Sequence, residues 1–247
     1  MAKSTSRRIV SVEPSKSTSF VRFSARNIAS PFCSVVAKIL LVGSLVVASN
    51  LAADPEIDRN TILVFGDSLS AAYRIDTNLG WVSLLSQKVA EEHPTWQVVN
   101  ASTSGDTTLD GLIKIDEVLA DVKPQIVILE LGANDGLRGY PVNAISDNLI
   151  ELIDRFQATG AFVVLAGMQL PQNYGPKYLT EFKQMYYDIA DAKNAGLIPF
   201  LLEGVATNLE LMQDDLIHPN AAGQPGLLAN VWAELKTHVA SFENLKD

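Results

Sequence analysis

Four short polar segments, each marked by glycine or by clustered acids, carry the residues of this chain that are equipped for nucleophilic chemistry. They are Gly66-Asp67-Ser68-Leu69-Ser70, the run Asn100 to Thr107 (Asn-Ala-Ser-Thr-Ser-Gly-Asp-Thr), Gly132-Ala133-Asn134-Asp135-Gly136, and Asp214-Asp215-Leu216-Ile217-His218-Pro219-Asn220. A serine hydroxyl is a weak nucleophile. It attacks an acyl carbon only with a base in hydrogen-bond reach and a third group that orients the base. The chain has three histidines. His93 follows two glutamates at what reads as a charged helix end, and His238 lies near the C-terminus. Only His218 has a carboxylate three residues earlier, in Asp215, a spacing at which one tight turn presents both side chains. Pro219 would stiffen that presentation. Ser68 is therefore the candidate nucleophile, His218 its base and Asp215 the orienting acid. Acyl transfer also needs donors for the oxyanion of a tetrahedral intermediate. The amide of Ser68, the amide of Gly105, which no side chain shields, and the side-chain amide of Asn134 are the candidates. Taken singly, each residue has an ordinary explanation: Gly-Asp-Ser caps helices well, Gly105 could end a strand, and Asn134 could sit in a turn.

The elements that must position these residues alternate along the chain. Apolar runs at Thr61–Phe65, Trp96–Asn100, Gln125–Leu131, Ala161–Ala166 and Leu197–Leu202 read as buried strands. Helical patterns are predicted over 79–92, 107–121, 141–158, 178–194 and 225–239, with Ile145, Leu149, Leu152, Ile153 and Phe156 at helical spacing in the third. Near-continuous apolar strands separated by helices imply a parallel sheet covered on both faces. The predicted fold is thus α/β, a three-layer, doubly wound, flavodoxin-like sheet of five parallel strands. Ligands in such folds bind beyond the carboxyl ends of the strands, and all four polar segments fall at that edge. Ser68 is expected where the first strand turns into a helix. Asp67, Asp106 and Asp135 are expected to hold loops through backbone amides, and Ser70, Ser102 and Ser104 to be loop hydroxyls without a part in the chemistry.

Taken together, these segments resemble the four blocks of the SGNH, or GDSL, hydrolase family, over essentially all of residues 61–238. Ser68, Gly105, Asn134 and His218 match the four letters, and Asp215, rather than Asp214, matches the family's triad acid. The segments Leu170-Pro171-x-Asn173-Tyr174-Gly175 and Gln213-Asp214-Asp215-x-Ile217-His218-Pro219-Asn220 are similar to the branch containing the periplasmic thioesterase I, lysophospholipase and arylesterase enzymes. The resemblance implies a metal-free and cofactor-free serine hydrolase of the SGNH fold. Its substrates would be small acyl esters, acyl thioesters and lysophospholipids. Leu109, Leu170, Pro171 and Tyr174 are expected to border the acyl cleft. Position 216 is Leu where Gly is common in the branch, which bears on the local turn.

Composition narrows the alternatives. Residues 1–53 carry seven Lys or Arg and one acid, which leaves 12 basic and 27 acidic residues in 54–247, a body near −15 against −9 for the whole chain. Such a body is a poor partner for nucleic acid, which needs clustered Lys and Arg. The basic front end, the apolar run Ile39–Ala48 and the small residues to Ala53 have the layout of a secretory signal peptide. The run is short for a membrane span, which needs about 20 apolar residues. The expected organisation is a signal over 1–53 and a hydrolase domain over 54–247. The product would be periplasmic or secreted, monomeric and without stable membrane insertion. Cys33, the only cysteine, precedes the expected cut, so the body offers no disulfide and no thiolate. It has no Walker lysine, no Gly-x-Gly-x-x-Gly and no Gly-x-Ser-x-Gly. The carboxylates lack an accompanying histidine cluster, so no metal site is expected. Two rival readings remain: a carbohydrate acetylesterase with the same machinery, against which the Leu170–Gly175 loop suggests a lipid-like acyl group, and a non-catalytic binding protein on a flavodoxin-like scaffold.

Overall fold

The computed structural model describes residues 59–244, and the expected signal segment, 1–53, lies outside them. Strands β1 (Asn60–Gly66), β2 (Trp96–Asn100), β3 (Ile126–Glu130), β4 (Phe162–Ala166) and β5 (Gly196–Ile198) form one parallel sheet in the order β2-β1-β3-β4-β5. Helices α1 (Trp81–Glu92), α2 (Thr108–Asp121), α3 (Ala133–Leu137), α4 (Val142–Ala158), α5 (Pro176–Lys193) and α6 (Gln224–Asn244) lie between and after them. α1 packs on α6, while α2 packs on α4 and α4 on α5. That is the three-layer, doubly wound arrangement expected from the strand and helix pattern.

The sheet forms because its strands bury apolar side chains on both faces. Ile62 to Phe65, Ile126 to Leu129 and Val163 to Ala166 are all fully buried. The chain winds from β1 outward to β2, then crosses back over β1 to β3. A crevice opens at the point where winding reverses. Register puts the three strand ends there at nearly one level, with Val64 opposite Asn100 and Gly66 opposite Glu130.

The structure corrects three details. Ser68 does not lead into a helix. It opens a run of turns to Arg74, a single 3-10 turn follows at Thr77–Leu79, and α1 starts at Trp81. Left-handed backbone at Ala72 (φ 55°) and Arg74 (φ 56°) forbids a continuous helix there. β5 is shorter than the apolar run 197–202, because Pro199 has no amide to give to a ladder and the chain turns so that the Leu201 amide meets the Gly167 carbonyl. α3, only five residues long and glycine-rich, carries no periodic pattern by which the sequence could announce it.

Trp81 ties the turn after β1 to the helical layer. It is fully buried, its amide donates to the Gln224 side-chain carbonyl (3.0 Å), and its indole Nε1 donates to the Leu69 carbonyl (3.1 Å). Trp81→Ala is expected to lower unfolding free energy by about 3–5 kcal/mol, measured by urea denaturation. A loss under 1 kcal/mol would show that Trp81 does not anchor this layer.

Candidate active site

The turn after β1 and the loop before α6 bring together residues 150 positions apart. Ser68 Oγ lies 2.8 Å from His218 Nε2, and His218 Nδ1 lies 2.8 Å from Asp215 Oδ2. With Nδ1–H donating to the carboxylate, Nε2 is the acceptor for the serine hydroxyl. Asp215 Oδ1 accepts the amides of Ile217 and His218, each at 3.0 Å. Asp214 makes no such contact, so the geometry selects Asp215 as the partner of the imidazole. Partial burial would raise the Asp215 pKa, but the His218 and Ile217 amides and the His218 ring outweigh it and hold the group at about 2. Asp215 is thus ionised at neutral pH and keeps the imidazole in one orientation. The loop closes through the Gln213 amide on the His218 carbonyl (2.8 Å) and a bridge between Met212 and Pro219. Leu216 takes φ 58° in it, which explains why glycine suits this position.

The three candidate oxyanion donors come from the ends of β1, β2 and β3. The loop after β2 turns through Gly105, exposed at φ 90°. Among the described residues, the amides of Ser68 and Gly105 donate to no other group. Asn134 sits in α3, where its Nδ2 donates to Asp67 Oδ2 (2.8 Å) and to the Asp106 carbonyl (3.0 Å). The helix is launched by Gly132, at φ 109°, where a Cβ would collide with the Tyr186 hydroxyl. Asp67 accepts the Leu69 amide and Asp135 accepts the Thr108 amide and hydroxyl, as loop-holding groups do. Asp106 differs from expectation: its side chain pairs with Lys114.

An apolar cavity of about 360 Å³ opens beside these groups. Its wall includes Leu69 next to the serine, Leu137 at the end of α3, Leu170 and Pro171 after β4, and Leu216 and Ile217 next to the histidine. Leu170 and Pro171, expected to border an acyl cleft, lie in this wall. Leu109 is not in the wall: α2 buries Thr108, Gly111 and Ile115, so its neighbour Leu109 faces solvent, 56% exposed. Tyr174 is not in the wall either. Its hydroxyl donates to the Leu137 carbonyl (2.7 Å) and braces α3 from behind. A larger open groove of about 620 Å³ between α4 and α5 contains none of Ser68, Asp215 and His218. The apolar cavity adjoins them through Leu69, Leu216 and Ile217, their neighbours in sequence.

Comparison with known proteins points the same way. Residues 64–224, more than half of the chain, match the family model described as GDSL-like lipase/acylhydrolase. The chain is 48% identical over 176 residues to esterase TesA of Pseudomonas aeruginosa, covering 71% of this chain and 88% of that protein. It is 39% identical over 170 residues to thioesterase 1/protease 1/lysophospholipase L1 of Escherichia coli K12, covering 67% and 78%. Among solved structures it superposes, at TM-score 0.70 and 39% identity, on the psychrotrophic esterase EstA of Pseudoalteromonas sp. inhibited by monoethylphosphonate, covering 73% of this chain and 99% of that one.

One group at the site falls outside the four segments: Glu130, the last residue of β3. A charged residue closing an otherwise apolar strand was the available signal. Glu130 is fully buried, and its Oε2 accepts the Ser70 hydroxyl (2.6 Å) and the Asp67 amide (3.2 Å). Its Oε1 has no partner among the described residues. Burial first, then the Asp67 charge, pushes its pKa well above the usual carboxylate range. Burial raises Asp67 to about 6, against the Leu69 amide and the nearby His218. Both shifts run upward, so the buried pair resists carrying two charges at once. A raised folded value means that folding takes up a proton above the ordinary glutamate range, so stability falls as pH rises from there through the folded value. Glu130→Gln mimics the neutral acid. It should show a shallower loss of urea-melt stability as pH rises above the ordinary glutamate range. An unchanged slope would mean that Glu130 is ionised in the fold.

Proposed function

Because this chain belongs to the GDSL-like lipase/acylhydrolase family and is a carboxylic ester hydrolase, we propose that it cleaves acyl esters and thioesters, lysophospholipids included, through an acyl-enzyme on Ser68. The observation that carries the reading is the unbroken chain of 2.8 Å contacts from Asp215 through His218 to Ser68, beside an apolar cavity. His218 Nε2 takes the Ser68 proton as Oγ attacks the acyl carbon. The amides of Ser68 and Gly105 hold the oxyanion, and Asn134 joins them by turning one Nδ2 hydrogen away from Asp67 or the Asp106 carbonyl, which take both in the free protein. His218 then returns the proton to the leaving alkoxide or thiolate. Water, deprotonated by the same imidazole, attacks the acyl-serine and releases the acid. Asp215, ionised throughout, stabilises the imidazolium that forms twice per cycle.

The cavity wall favours an acyl chain over a sugar as the occupant. A carbohydrate acetylesterase would put only a methyl group there. The basic and apolar N-terminal segments support a location outside the cytoplasm, and the sequence offers no cofactor motif for the reaction to use.

Ser68→Ala should lower kcat on p-nitrophenyl esters by about 10⁴-fold or more, as loss of a nucleophile does elsewhere. Retained turnover would refute the assignment. Across a series of p-nitrophenyl esters from acetyl upward, kcat/KM should rise about fourfold per methylene, the value of about 0.8 kcal/mol for each buried CH₂, and level off when the cavity is full. A maximum at acetyl would favour the carbohydrate esterase.

A further inference from the structure

We infer that Tyr73 is a positioning residue of this reaction: its ring braces one face of the His218 imidazole, and Gln213 ties the loops of the nucleophile and the base together around it. The inference rests on Ser68 and His218 acting as nucleophile and base.

Two hydrogen bonds hold the imidazole, to Asp215 at Nδ1 and to Ser68 at Nε2. Both act at the ring edge and neither restrains its faces. The Tyr73 ring centroid lies 4.5 Å from that of His218, with the planes tilted by 40°. An aromatic ring at this distance keeps the imidazole from tipping out of line with Ser68. It also offers a π surface to the imidazolium of the transition state, an attraction the neutral ground state lacks. The Arg74 guanidinium, 5.0 Å from the Tyr73 ring, restrains that ring in turn.

The backbone is built to place this ring. The Tyr73 amide donates to the Ser68 carbonyl (3.2 Å), and both neighbours, Ala72 and Arg74, adopt left-handed backbone that few side chains tolerate. Gln213 Nε2 donates to the Tyr73 carbonyl (2.9 Å) and to the Pro219 carbonyl (3.0 Å), while its amide donates to the His218 carbonyl. One residue thus joins the backbone beyond the nucleophile to the backbone of the base and of the residue after it, across 140 positions of sequence. Tyr73 and Gln213 are not in the wall of the acyl cavity, so they are placed to affect the rate of acyl transfer rather than substrate affinity.

The test compares Tyr73→Leu, Tyr73→Phe and Gln213→Met with the unaltered enzyme on a soluble short-chain p-nitrophenyl ester, with thermal melts to verify folding and Ser68→Ala as the control. Tyr73→Leu and Gln213→Met should each lower kcat by about tenfold or more, within the range that a small misplacement of reacting groups costs, with KM unchanged. Tyr73→Phe, which keeps the ring, should restore kcat to near that of the unaltered enzyme. A folded Tyr73→Leu with full kcat would overturn the proposal, as would an equal loss in Tyr73→Phe or a change confined to KM. Should Tyr73→Leu fail to fold, Gln213→Met decides alone: full kcat there defeats the clamp. Turnover by Ser68→Ala would instead defeat the hydrolytic reading itself, an outcome separate from any Tyr73 result.

Discussion

The pairing of β1 with β3 fixes where every other part of the site can be. The two strands are neighbours in space but not in sequence, and Gly66 stands opposite Glu130 at their ends. From that level Ser68 and Asn134 leave the sheet two and four residues later, and Asp67 reaches Asn134 across the gap. A slip of one residue in the pairing would turn the slipped strand's side chains to the opposite faces. It would also separate the serine from the amide that accompanies it. Because both strands are apolar on both faces, burial alone does not choose the register; the strand ends do, where a Cβ in place of the Gly66 hydrogen would meet the Glu130 carboxylate at 2.5 Å.

The carboxylates near Ser68 divide by environment. Asp215, at the surface and ringed by donors, is held ionised; Glu130, buried at the end of β3 with one unpartnered oxygen, has its pKa pushed well up; Asp67 is raised to about 6. A permanent charge at Asp215 suits a group that must meet an imidazolium. Raising the Glu130 pKa is the cost that burial and the neighbouring Asp67 charge impose on a carboxyl placed under the turn that carries Ser68.

Much of this was legible in the sequence because it obeys local rules. The five strands follow from apolar runs, and the Asp215–His218 pairing from a three-residue spacing that a turn can satisfy. Other parts depend on contacts far apart in sequence. That Ser68 opens a run of turns depends on positive φ at Ala72 and Arg74, residue types that do not advertise it. Asn134 lies in a helix too short to have a period. Leu109 was placed at the cleft by resemblance, yet the face that α2 buries sends it outward. Tyr73 and Gln213 are ordinary residues in sequence and meet only because the loops after β1 and before α6 converge.

Leu216 shows how such a site can change without touching its reacting atoms. Its backbone adopts a conformation that a glycine would hold with less strain, yet its side chain forms part of the cavity wall and is 61% exposed. The free protein therefore carries a hydrated greasy lip on a strained support, and an arriving acyl chain can relieve the hydration but not the strain. Position 216 is a dial between a relaxed loop and a firm grip. Lineages under different demands for robustness and selectivity can turn it while the chemistry next door stays the same.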